Sequence, residues 1–188
     1  GSFNPIHIGH LALANYLLEY APFHEIWFVV SPKNPFKQEN DLAWPHHRLA
    51  MTRLAIQKEP RFKASDIEFQ MPRPSYTIHT IRKLSQDYPD HQFTIIMGSD
   101  NLQTIARWSN AEEILNHYPI AVYPRPGYPM EKKPEEGMGK IRIFNPPLLD
   151  ISSTLIRQSI KEGKQLRYLL PEGVYEYIID HNLYLADN

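Results

Sequence analysis

No cysteine occurs among the 188 residues, which excludes a disulfide framework and cysteine-ligated zinc and fits a reducing, cytoplasmic compartment. No apolar run approaches the ~18 residues that a membrane span requires, so no membrane partner is expected. Neither sign of charge predominates: 20 Lys+Arg stand against 21 Asp+Glu, a formal net charge of -1. Without a polybasic field, sequence-independent nucleic-acid binding is not expected either. What is present is ordinary for a folded protein, with 42% hydrophobic and 22% charged residues. The length suits one compact domain, and residues 1–188 are read as a single domain.

The chain opens on a turn, Gly1-Ser2-Phe3-Asn4-Pro5, with no strand leading into it, and a strand ahead of Gly1 is expected. Helical spacing of Leu11, Ala14 and Leu18 predicts a helix over His10–Tyr20. Glu25–Val30 reads as a buried strand, Ser31–Trp44 as a loop, and Pro45–Lys58 as a helix with proline at its first position. Phe62–Phe69 reads as a strand pair or an irregular edge. Further helices are expected over Tyr76–Tyr88, Leu102–Ala106, Ala111–Asn116, Ser153–Lys161 and Glu172–His181. Strands are expected at Phe93–Met97, Ile120–Tyr123 and Ile141–Phe144, and a proline-rich excursion over Tyr123–Gly139. Strands and helices alternate, and the strands are continuously apolar rather than alternating. That pattern indicates an α/β fold with a doubly wound, Rossmann-like parallel sheet and helices on both faces. In such sheets ligands bind beyond the strand C-termini.

Two constellations can carry chemistry. In Gly1-Ser2-Phe3-Asn4-Pro5-Ile6-His7-Ile8-Gly9-His10, two histidines three apart flank a glycine and run into a helix. Free N–H groups and a positive dipole end make such a start a phosphate site, to which imidazoles can add donors. Ordinary surface histidines are the plainer alternative, and an H-x-x-H metal site completed by His46 and His47 is a third. Late in the chain, Ile151-Ser152-Ser153-Thr154-Leu155-Ile156-Arg157 offers Ser152 as N-cap, with Ile151 and Ile156 at hydrophobic-staple positions and Arg157 about one turn in. That is a second anion cradle.

Together, in this order on an α/β frame, the two segments resemble the paired signatures of the nucleotidyltransferase superfamily. Within it the chain is similar to the bacterial nicotinate-mononucleotide adenylyltransferases. Pro74-Ser75-Tyr76-Thr77, Gly98-Ser99-Asp100 followed by Trp108, Arg125-Pro126-Gly127-Tyr128-Pro129 and Leu169-Leu170-Pro171-Glu172 extend the match over nearly the whole chain. The resemblance implies a catalytic set of His7, His10 and Arg157. It implies ATP contacts at Ser2, Phe3, Gly9, His10, Gly98, Asp100, Ser152, Ser153 and Arg157. Nicotinate mononucleotide would meet Asn34, Lys37, Thr77, Trp108, Ser109 and Arg125, with Trp108 stacked on the pyridine ring. Family members often carry P-P-H-[K/R] where this chain reads Asn34-Pro35-Phe36-Lys37, so Lys37 is assigned the mononucleotide phosphate.

The implied reaction joins ATP and nicotinate mononucleotide to give deamido-NAD and pyrophosphate. Mg²⁺ would enter with ATP, held by phosphate and water without a protein metal site. Two other readings stay open: pantetheine-phosphate adenylyltransferase, and a nucleotide-binding regulatory module that keeps the fold without turnover. A homo-oligomer stays open as well. Thr77 can also be read as a helix cap, Trp108 as a core or rim aromatic, and Ser109 as a capping-box partner of Glu112.

Overall fold

The computed structural model describes residues 1–32, 42–130 and 140–185. Two compact units make up the chain, Gly1–Ser75 with Leu149–Asn188, and Tyr76–Leu148.

The first unit starts with α1 (Ile8–Tyr20), β1 (Ile26–Val29), α2 (Pro45–Ile56) and β2 (Phe62–Ser65). It closes with α6 (Ser153–Lys161) and α7 (Val174–Asp180). β1 and β2 pair in parallel, Ile26 opposite Phe62. The segment expected as a strand pair or irregular edge is therefore one strand, followed by a 3-10 turn over Ile67–Gln70. Ser65 Oγ accepts the Ile67 N–H at 3.3 Å, which bends the chain out of the ladder. Gly1 lies alongside the end of β1: its nitrogen donates to the Val29 carbonyl at 2.7 Å. Its carbonyl accepts from the Ser31 N–H at 2.8 Å. The opening loop thus begins at a strand's C-terminal end. Ala14, Leu17 and Leu18 form the buried stripe of α1. α7 buries Val174 and Ile178.

The second unit runs α3 (Thr77–Asp87), β3 (Ile95–Gly98), α4 (Ser99–Thr104), α5 (Ala111–His117), β4 (Ile120–Tyr123) and β5 (Ile141–Ile143). Its sheet is parallel, in the order β3-β4-β5. β3 starts two residues later than its apolar run implies. The Ile95 N–H donates to the carbonyl of Pro119, which has no N–H to continue the ladder backwards. Ile78 and Ile81 of α3 pack with Met97, Ile105, Ile114, Ile120 and Val122 into one core. β3 passes into α4 at Gly98-Ser99 without a loop, earlier than the helix expected from Leu102.

Parallel pairing with helices between the strands is the expected α/β pattern, divided among the described residues into a two-stranded and a three-stranded sheet. No described helix is long and apolar enough to cross a membrane.

Candidate active site

In the first unit the two histidines cap their own helix. His7 is the N-cap of α1, and its Nδ1 accepts the Gly9 N–H at 3.1 Å. His10, three residues on, returns the bond: its Nδ1 accepts the His7 N–H at 3.1 Å. This is a capping box built from imidazoles instead of the usual hydroxyl and carboxylate. The rings stack, with centroids 3.8 Å apart. Because each Nδ1 is an acceptor, each neutral ring carries its proton on Nε2, as a donor. Gly9 is required for this arrangement, since a Cβ there would lie 2.9 Å from His7 Cε1 and Nδ1.

The second signature ties back to the first. Ser152 caps α6 by accepting the Leu155 N–H at 3.1 Å. Ser153 Oγ donates to the Pro5 carbonyl at 2.9 Å, and Arg157 Nη1 donates to the Asn4 carbonyl at 2.9 Å. The hydroxyl of Ser153 is thus a strut between the two signatures, and its N–H at the start of α6 is the group suited to an anion. Among the described residues, Ser2 Oγ and Arg157 Nε are buried with no hydrogen-bond partner. A buried polar atom left unpaired is costly, and here a hydroxyl and a guanidinium N–H are two groups that phosphate oxygens satisfy.

His46 and His47 do not join His7 and His10 in a metal site. His47 Nδ1 is 2.9 Å from the Tyr177 hydroxyl of α7, and its ring meets His181 edge-on. Among the described residues no group of three or more His, Cys, Asp or Glu is placed to hold a metal ion.

In the second unit Gly98, Asp100 and Arg125 converge. Arg125 Nη1 donates to Asp100 Oδ2 at 3.0 Å, while Asp100 Oδ1 is buried without a partner among the described residues. Ser99 Oγ accepts the Arg125 N–H and donates to the Tyr128 carbonyl, both at 2.8 Å. A Cβ on Gly98 would lie 2.5 Å from Asp100 Oδ1 and 2.6 Å from Arg125 Cδ, so the pair crosses in the space a side chain there would take. Trp108 is half-buried against the core of this unit, and Thr77 is the first residue of α3, after Tyr76 as N-cap. The expected Ser109–Glu112 capping box is absent. Asn110, in the left-handed region at φ 53°, is the N-cap of α5, and Ser109 Oγ donates to Asn110 Oδ1 at 3.2 Å. Asn34 and Lys37 lie outside the described residues.

Three residues escaped the reading of the sequence as individual contributors: Asn4, Arg48 and Tyr184. Arg48 is fully buried, and all four of its hydrogen bonds go to backbone carbonyls. One signal was legible, because Arg48 falls on the stripe of α2 that also holds Leu49, Thr52 and Ile56. A cation there has to find partners in the interior.

A family model described as cytidylyltransferase-like matches residues 1–159. A protein of Bacteroides fragilis named a probable nicotinate-nucleotide adenylyltransferase is 50% identical over 180 residues, covering 95% of this chain and 88% of that relative. One of the same name from Flavobacterium johnsoniae is 46% identical over 184 residues, covering 98% and 95%. Among solved structures, Plasmodium falciparum nicotinic acid mononucleotide adenylyltransferase complexed with NaAD superposes with a TM-score of 0.79 at 23% identity, covering 98% of this chain and 94% of that one. At that identity the likeness establishes the fold alone, a Rossmann-like α/β architecture.

Proposed function

This chain belongs to the cytidylyltransferase-like family, among the nicotinate-nucleotide adenylyltransferases, and from that membership we propose that it transfers the adenylyl group of ATP to nicotinate mononucleotide. The products are deamido-NAD and pyrophosphate. The observation that carries the site assignment is the imidazole capping box of His7 and His10, which turns both Nε2–H groups into donors at a helix start.

The attacking phosphate oxygen of the mononucleotide is anionic at neutral pH, so the reaction needs no general base. Attack is in line on the α-phosphorus, and catalysis consists of positioning and of neutralising developing charge. In this reading His7, His10 and Arg157 act on the triphosphate, with Ser2, Phe3, Gly9, Ser152 and Ser153 supplying the surrounding hydroxyl and backbone groups. Asp100, with its buried unpaired oxygen, accepts from the nucleotide beside Gly98. Thr77, Trp108, the Ser109 N–H and Arg125 receive the nicotinate mononucleotide, together with Asn34 and Lys37. In this reading residues 1–188 make one nucleotidyltransferase domain. The donors at the starts of α1 and α6 are imidazole, hydroxyl, guanidinium and N–H. They suit phosphate oxygens rather than a hard cation, so Mg²⁺ comes with ATP, held by phosphate and water.

Purified protein given Mg-ATP and nicotinate mononucleotide is expected to release pyrophosphate and form deamido-NAD. A carboxylate only accepts hydrogen bonds, so a pocket of donors rejects the amide NH₂ of nicotinamide mononucleotide. The expected preference in kcat/KM is at least ~10²-fold, the scale of a hydrogen-bonding site that discriminates by leaving polar groups unpaired. A ratio near unity would replace nicotinate specificity with dual specificity. ATP binding without turnover of either mononucleotide would favour the regulatory module.

A further inference from the structure

The opening loop holds a strain that the roles assigned above do not account for. Phe3 has φ 46°, the left-handed region that side chains other than glycine seldom enter. Such a conformation persists only where the surroundings over-determine it, and strained residues of this kind gather at ligand clamps and active sites. The surroundings of Phe3 are supplied by side chains distant in sequence. On its N-terminal side, Arg48 Nη1 donates to the Ser2 carbonyl at 2.7 Å. On its C-terminal side, the Tyr184 hydroxyl donates to Asn4 Oδ1 at 2.7 Å, and the same oxygen accepts the Ala43 N–H at 3.1 Å.

Both groups suit a fixed strut better than a surface contact. The remaining bonds of the Arg48 guanidinium reach the carbonyls of Ser31 (2.7 Å), Pro32 (2.8 Å) and Ala43 (2.8 Å), so four of its five N–H groups are committed to backbone. Burial lowers its pKa to about 10, which leaves it charged at neutral pH. Burial raises the Tyr184 phenol, against the opposing charges of Arg157 and Arg48, so it stays protonated and a donor. The loop they hold bears on both signatures. The Phe3 ring meets His10 edge-on, 5.2 Å between centroids, and the Asn4 carbonyl accepts from Arg157.

We propose that Arg48 and Tyr184 are positioning residues that clamp the strained Ser2–Asn4 loop in its triphosphate-receiving shape. ATP affinity then depends on a hydroxyl 180 residues from the loop it holds. The inference rests on the adenylyl-transfer reading for the identity of the ligand, and on geometry for the clamp.

The test is Tyr184→Phe in the full chain, which removes one oxygen and keeps the ring. Wild-type turnover of Mg-ATP with nicotinate mononucleotide is measured first, since its absence would count against the transfer reading alone. ATP binding without mononucleotide, both KM values, kcat and Tm are then compared. Losing one hydrogen bond lowers the share of chains with a competent loop, so Kd and KM for ATP are expected to rise roughly three- to tenfold. KM for the mononucleotide should stay unchanged, and kcat at saturating ATP should change less than KM. Arg48→Lys keeps the charge but loses the planar fork, and should move the same parameters in the same direction. A Tyr184→Phe protein with lowered Tm and wild-type ATP affinity would reduce Tyr184 to packing and overturn the clamp. An equal rise in both KM values, a general loosening, would overturn it too. If Arg48→Lys does not fold, Tyr184→Phe decides alone.

Discussion

At the scale of residues, the paired imidazoles do two things at once, and a suitable pair of substitutions separates them. His10 accepts the His7 N–H through Nδ1 and, in the proposed reaction, donates through Nε2. His10→Ala removes both. Loss of the cap is expected to cost about 1 kcal/mol of stability, and loss of a charge-stabilising donor should lower kcat by roughly 10²–10³-fold. Glutamine is a usual partner at the third position of a capping box, so His10→Gln should recover the stability while leaving most of the kcat deficit. Thermal melts and steady-state rates on the two variants check this. An Ala variant that retains more than half of the wild-type kcat would remove His10 from the reaction. Gly9 shows a related division. Its place between two histidines was legible in the sequence, but its necessity follows from a ring that folds back to within 2.9 Å of its missing Cβ.

At the scale of elements, α2 and α7 meet through a cluster of rings. His46 and His47 lie 4.1 Å apart by centroid, and Tyr177 and His181 stack at 4.0 Å. Burial first, then the neighbouring His46 and His181, hold the His47 pKa below the usual 6.5. A folded value below the unfolded one means that the unfolded chain binds more protons between the two. This contribution to stability is therefore full above the unfolded value and is lost as pH falls from there through the folded value. Tm is expected to drop between about pH 7.5 and about pH 5, the range in which histidine titrates, and His47→Gln should flatten that drop. Parallel Tm curves for the two proteins would show that His47 does not contribute. The helices themselves were legible from spacing. That His47 faces Tyr177 across 130 residues was not, because periodicity places a side chain on a face and does not name the element opposite.

At the scale of the whole molecule, binding and stability are linked. ATP that binds only the folded chain should stabilise it by about 2.7 kcal/mol at a hundred times its Kd, or roughly 5–10 °C in Tm for a chain of this length. A melt with and without Mg-ATP measures this, and the absence of any shift at saturating nucleotide would contradict the proposed triphosphate site. The sequence by itself determined the alternation of strands and helices, the buried run of β4, the cap at Ser152 and both signature segments. These are local properties, written in apolar spacing and in residues whose chemistry acts on their own backbone. It overextended β3, since the limit is set by Pro119 just ahead of β4, and it misjudged the cap of α5, where Asn110 takes the left-handed turn. Only the tertiary structure decided that Arg48 gives its whole charge to four carbonyls, and that Tyr184 and Arg157 both end on Asn4. The physical reason is range. A hydrogen bond is decided by atoms within about 3 Å, and residues far apart in sequence come that close only once the chain has folded.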